Sequence, residues 1–287
     1  MTVVAPSRPR HRRQATAPVA GPRTRPAWRA VALPSEHGGW GLTLEPVVLG
    51  LALAPSFAGA ALGLAGLLAF LLRTPLKLVL VDHRRGRSLP RTAMARRVAS
   101  AEGAAVLVLA AVALVSAGPA WLVPVALAAP LVAVELWFDV RSRGRRLVPE
   151  LCGAAGMAAL AASVAVAGGA PVTVAGVAWA LLAARSIAAI PYVRTQVLRL
   201  HRTGTAAPGV GGALLAQGAG VGLAVAAVAV EPAALAGAVS VTVAGLVRLV
   251  GLRWPPRSAV RLGAIESVIG VVVVVATAVG LHLGGAV

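Results

Sequence analysis

Residues 57–91 read FAGAALGLAGLLAFLLRTPLKLVLVDHRRGRSLPR. The first part is apolar but for Arg73, Thr74 and Lys77, and it closes on Arg84, Arg85, Arg87 and Arg91. An apolar helix of about 20 residues crosses the hydrocarbon of a bilayer. A cluster of arginines at its end marks one side of the membrane. Working outward, the same unit recurs. Apolar runs are predicted to span at 40–54, 57–80, 98–116, 121–138, 150–168, 172–193, 210–229, 232–250 and 262–283. The connections alternate. Basic ones carry Arg84 to Arg97, Arg141 to Arg146, Arg194 to Arg202, and Arg253 to Arg261. The others, Pro55-Ser56, Ser116 to Ala120, Gly168 to Pro171 and Glu231-Pro232, are short and carry no basic residue. With basic loops inside, nine spans put the N-terminus in the cytoplasm and the C-terminus outside.

Composition agrees. Of 287 residues 58% are hydrophobic and 13% charged, and the mean hydropathy is +0.84; a soluble core could not bury so many all-round apolar helices. The fold class expected is all-α, a polytopic transmembrane bundle of about nine spans. The formal charge of +18 follows from the positive-inside rule and implies anionic lipid headgroups as partners, with no nucleic acid expected. The single cysteine, Cys152, builds neither a disulfide framework nor a metal cluster. Residues 1–30 alternate proline and arginine without an apolar core, so they read as a disordered cytoplasmic tail ahead of a transmembrane domain at 31–287. The first span is short. It starts at Gly38-Gly39-Trp40-Gly41 and contains Glu45-Pro46, which predicts a break or kink near its start.

Ionisable side chains inside spans are costly and point to function or to pairing. Arg73 lies nine residues before Asp82, about 13 Å inside the boundary. Lys77 follows on the same face by i,i+4 spacing. Arg185 lies nine residues before Arg194, at a similar depth in span 6. Inward arginines suit a phosphate or carboxylate, because guanidinium offers a fork of donors. The alternative is pairing with Glu36, Glu45, Asp82 or Glu150. The string Pro34-Ser35-Glu36-His37-Gly38-Gly39-Trp40 puts an acid and an imidazole side by side, or simply caps a helix through Ser35. His37 lacks a second ligand at helical spacing, so no metal site is expected there. Glu135 and Asp139 stand four apart, and Arg141, Arg143, Arg145 and Arg146 are their expected partners. Glu150 opens a helix, where an acid is favourable. Glu266 reads as structural, close to Arg261. No Walker motif, GxSxG or dinucleotide fingerprint occurs.

Three segments resemble the YwiC-like family of bacterial membrane proteins. They are Leu33 to Trp40 leading into Glu45-Pro46; Arg73-Thr74-Pro75-Leu76-Lys77 with Asp82 to Arg87 and Pro90-Arg91-Thr92; and Arg185-Ser186 followed by Pro191-Tyr192-Val193-Arg194. More distantly, the layout is similar to the UbiA superfamily of intramembrane prenyltransferases. That similarity implies a nine-helix bundle with two Asp-rich motifs, holding magnesium and a prenyl diphosphate, at the cytoplasmic ends of spans 2 and 6. Here the first position has only Asp82, and Tyr192 to Arg202 has no carboxylate. Magnesium is expected only if that chemistry is retained. If spans 2 and 6 face each other as the resemblance implies, Arg73, Lys77, Arg185 and Arg194 converge on one cavity.

The resulting expectation is an inner (cytoplasmic) membrane protein that binds an anionic or phosphorylated, lipid-like ligand in a cavity open to the cytoplasm. The candidate ligand-binding residues are Glu36, His37, Trp40, Glu45, Arg73, Lys77, Asp82, Arg91, Arg185, Tyr192 and Arg194. The alternatives are a divergent prenyl or lipid-group transferase and a small-anion transporter.

Overall fold

The computed structural model describes Val31, residues 39–201 and residues 210–287. The tail expected at 1–30 and the candidates Glu36 and His37 lie outside the described residues. Within residues 39–201 and 210–287 nine helices follow one another: α1 Gly39–Leu53, α2 Phe57–Arg84, α3 Pro90–Ala117, α4 Leu122–Val140, α5 Leu147–Ala167, α6 Val172–His201, α7 Gly211–Val230, α8 Leu235–Gly251 and α9 Ala259–Leu283, with a 3-10 turn at Pro232–Ala234 before α8. No strand occurs among the described residues. These are the expected spans. Three helices run further by four residues or more at the end that carries the basic loops: α2 reaches Arg84, α3 starts at Pro90 and α6 reaches His201. Hydropathy stops at the hydrocarbon boundary, whereas the helix keeps its own backbone bonds into the headgroups and water.

Eight of the helices are long and apolar enough to cross a membrane, α8 counted from Pro232. The chain is a multi-pass membrane protein. The ninth, α1, has 15 residues, about 22 Å of helix. From Gly39 it runs as one helical segment with Pro46 inside; the residues just before it, at the start where a break or kink is expected, lie outside the described residues. Its far end reaches the level of the arginine-free connections. There a His282 ring nitrogen meets Ala52 O at 2.9 Å, and Gly168 lies against Ala54. Its first residue, Gly39, lies against the Phe70 ring of α2. Trp40, the next residue, meets that ring edge-on at 5.4 Å and is partly exposed.

A short helix is tolerated because it is enclosed by protein. The middle of the bundle is α1, α5 and α6. Their neighbours are α5, α9, α2 and α6 around α1; α6, α4, α1 and α2 around α5; and α7, α5, α9, α8 and α1 around α6. The apolar windows of α5 and α6 are 61% and 67% buried, against 6% for α3, which packs along α2 and otherwise faces outward. Lipid tails are as apolar as leucine, so close backbone approach through small residues, rather than exclusion of oil from water, holds such helices together. Gly50 shows how: a Cβ there would stand 2.6 Å from Val164 Cβ and 2.8 Å from Ala161 O of α5. Leu49, Ala161, Ala165, Ala178, Leu181, Val273 and Leu281 fill the seam.

Candidate functional site

The basic-end half of the bundle holds two groups of charges. The deeper one joins four helices. Arg185 sits 13 residues into α6 from Val172, about 20 Å from the arginine-free end. Its Nη1 meets Glu45 Oε2 of α1 at 3.1 Å, and its Nη2 donates to Glu266 O of α9 at 2.6 Å. Glu266 in turn accepts a two-pronged bond from Arg248 of α8, at 2.9 Å from Nε and 2.7 Å from Nη2. All four residues are buried. Two arginines and two glutamates balance, which offsets the cost of placing charge at that depth. Gly270 of α9 leaves the space that the Glu45 carboxylate and the Arg185 guanidinium occupy, since a Cβ there would overlap Glu45 Oε1.

The second group joins α2 to α4. Asp139, fully buried, receives Arg73 Nε at 2.9 Å and Lys77 Nζ at 2.8 Å on its two oxygens. Arg73 also reaches Glu135 Oε1 at 2.9 Å. The i,i+4 spacing of Arg73 and Lys77 matches the i,i+4 spacing of Glu135 and Asp139, so two facing stripes neutralise each other. Two glycines make room: a side chain at Gly153 of α5 would overlap the Glu135 carboxylate, and one at Gly144 would overlap Asp139 Oδ1.

One expectation is corrected here. Glu135 and Asp139 pair with Arg73 and Lys77 and not with the arginines that follow them. Those arginines lie past the helix end, where Arg141 stacks on Trp137 at 3.3 Å. Glu266, read from the sequence as structural, pairs with Arg248, because the antiparallel neighbours α8 and α9 bring these two side chains level. Arg248 was missed by sequence reasoning, although its signal was legible: a charged residue enclosed by Leu246-Val247 and Leu249-Val250.

The remaining candidates are scattered. Asp82 is buried, accepts the Thr92 hydroxyl at 2.6 Å and faces Arg91 at 3.7 Å, which ties α2 to the start of α3. Arg194 pairs with Glu150 at 2.8 Å and donates to Arg145 O. Tyr192 is buried beside Gln196, whose amide donates to Gly251 O. Arg73 and Lys77 therefore meet α4, whereas Arg185 meets α1 and α9. In the packing, α2 lies on α1, α3, α4 and α5, and α6 on α1, α5, α7, α8 and α9.

A pocket of about 410 Å³ opens at the basic end, where α2 turns into α3. His83, Arg87 and Arg96 surround it with Ser88 and Thr92, above an apolar floor of Val79 and Leu80. Cations and hydroxyls over an aliphatic floor suit an amphiphilic anion. The donors present do not fit magnesium. Among the described residues no three His, Cys, Asp or Glu side chains gather, and Asp82, Glu135 and Asp139 each face a cation.

No curated protein and no solved structure matches the chain, so the UbiA-like similarity rests on sequence layout alone. Residues 33–166 match the family model described as YwiC-like protein. That stretch takes in α1 to α5 but for the last residue of α5, and with it Glu45 and the Arg73–Asp139 and Asp82–Arg91 contacts. Over this stretch, just under half of its length, the chain is similar to the YwiC-like family, and by its long apolar helices it is a multi-pass membrane protein.

Proposed function

We propose that this protein lies in the cytoplasmic membrane, N-terminus inside and C-terminus outside, and binds a phosphorylated, lipid-like anion at its basic end. The observation that carries the reading is the pocket between α2 and α3. It offers three basic side chains, His83, Arg87 and Arg96, above Val79 and Leu80. The arginines singled out inside the spans, by contrast, are already neutralised by carboxylates. A phosphate entering the pocket gains charge-assisted bonds without displacing an acid.

The test is native mass spectrometry of the detergent-purified chain loaded with phosphatidylglycerol or phosphatidylcholine. Phosphatidylglycerol should be retained preferentially. The double variant Arg87→Gln/Arg96→Gln should lose about 1.5–3 kcal/mol of that preference per guanidinium contact. Equal retention before and after the substitutions refutes the reading.

A further inference from the structure

Arg84 ends α2, and Arg141 follows the last residue of α4. Beside them runs a groove of about 390 Å³ that shares no lining residue with the α2–α3 pocket. Its wall is Ala133, Leu136, Trp137 and Val140 of α4. Ala133 lies eight residues below Arg141, about 12 Å into the hydrocarbon region. Trp137 is 59% exposed one turn below Arg141, the depth at which indole rings line a membrane boundary.

The mouth of the groove is held in shape. Arg84 Nη1 donates to Val140 O at 3.2 Å. Arg85 Nη2 donates to Ser142 Oγ at 3.1 Å, within the turn where Ser142 adopts φ 57°. The Arg141 guanidinium lies 3.3 Å from the Trp137 ring centroid, so its face is used and its N–H edge remains for an acceptor. Arg73, Lys77, Arg91, Arg185, Arg194 and Arg248 all have carboxylate partners. Arg84 and Arg141 have none among the described residues. Two uncompensated cations thus stand over an apolar channel at the membrane boundary. The complement is one molecule that joins a phosphate to a hydrocarbon chain.

We infer that the α2–α4 groove holds an anionic glycerophospholipid from the leaflet on the basic side. Its phosphate bridges Arg84 and Arg141, and one acyl chain lies along Leu136 and Trp137 toward Ala133. This site is separate from the pocket of the proposed function, and either can fail without the other.

The experiment uses the full chain in vesicles whose lipids carry brominated acyl chains, which quench nearby tryptophan. The Trp137 signal is taken as the difference from Trp137→Phe. Brominated phosphatidylglycerol in a phosphatidylcholine background should quench Trp137 at a severalfold lower mole fraction than brominated phosphatidylcholine. The preference should shrink at molar salt, which screens the surface charges. It should vanish in Arg84→Gln/Arg141→Gln and persist in Arg87→Gln/Arg96→Gln. Equal quenching by the two lipids in the unsubstituted protein overturns the inference without any variant. So does a preference that survives the loss of both Arg84 and Arg141.

Discussion

Replacing Glu45 by Gln removes one charge from the buried four-helix network and leaves its shape. Arg185 then keeps the Glu266 carbonyl at 2.6 Å and faces an amide where a carboxylate stood at 3.1 Å. At that separation, and an effective dielectric of about 20, the lost attraction is about 5 kcal/mol. The amide oxygen still accepts a hydrogen bond, and Glu266 remains near, so the expected loss is about 3–5 kcal/mol, the range for orphaning one member of a buried pair. Arg185→Gln should cost a comparable amount, because it leaves Glu45 unpaired. The double variant Glu45→Gln/Arg185→Gln should be markedly more stable than either single one, since no charge is then stranded. The measurement is unfolding of the purified chain in mixed micelles with increasing SDS, with free energies for all four proteins. Single variants as stable as the parent, or a double variant that loses the sum of the two, would refute the pairing argument. Arg185 would then be a ligand side chain held in reserve.

Gly153→Ala should destabilise by about 1–3 kcal/mol, because the new methyl overlaps the Glu135 carboxylate that Arg73 holds; adding Glu135→Ala should restore part of the loss in the same unfolding assay. Reporter fusions after Arg91, Arg146 and Arg257 should score cytoplasmic and those at Gly118, Gly169, Glu231 and Val287 external, following the alternation of basic connections; two or more reversed fusions would exclude the orientation. Deletion of residues 1–28 should leave an inserted bundle with unchanged size-exclusion behaviour, since that stretch brings no apolar core; aggregation of the truncated chain would show that the segment is structural.

Part of the candidate site was legible. Arg73, Lys77, Glu45, Asp82 and Arg185 stood out because a charge inside an apolar run is costly wherever it occurs. Pairing of Arg185 with Glu45 is among the alternatives the sequence leaves open, and that contact is formed; the Arg194–Glu150 pair is one it did not point to. The partners expected for Glu135 and Asp139 are the wrong ones because nearness along the chain is not nearness in space. Asp139 and Arg73 are 66 residues apart, and the arginine two positions after Asp139 turns instead onto Trp137.

By itself, the sequence determined the number of helices, their approximate limits and the alternation of basic and bare connections. The reason is local. A segment crossing hydrocarbon satisfies its own backbone within the helix, so length and apolarity suffice to define it. Tertiary structure decided everything that depends on how those helices are turned and placed. It enclosed the short α1 among α5, α6 and α9. It set Arg73 and Lys77 against α4 while sending Arg185 to α1, and among the described residues it left Arg84 and Arg141 without acids at the mouth of a groove. Which faces meet is fixed by where small residues let backbones approach, as at Gly50, Gly153 and Gly270. That choice is made between helices far apart in the chain, which no window of residues contains.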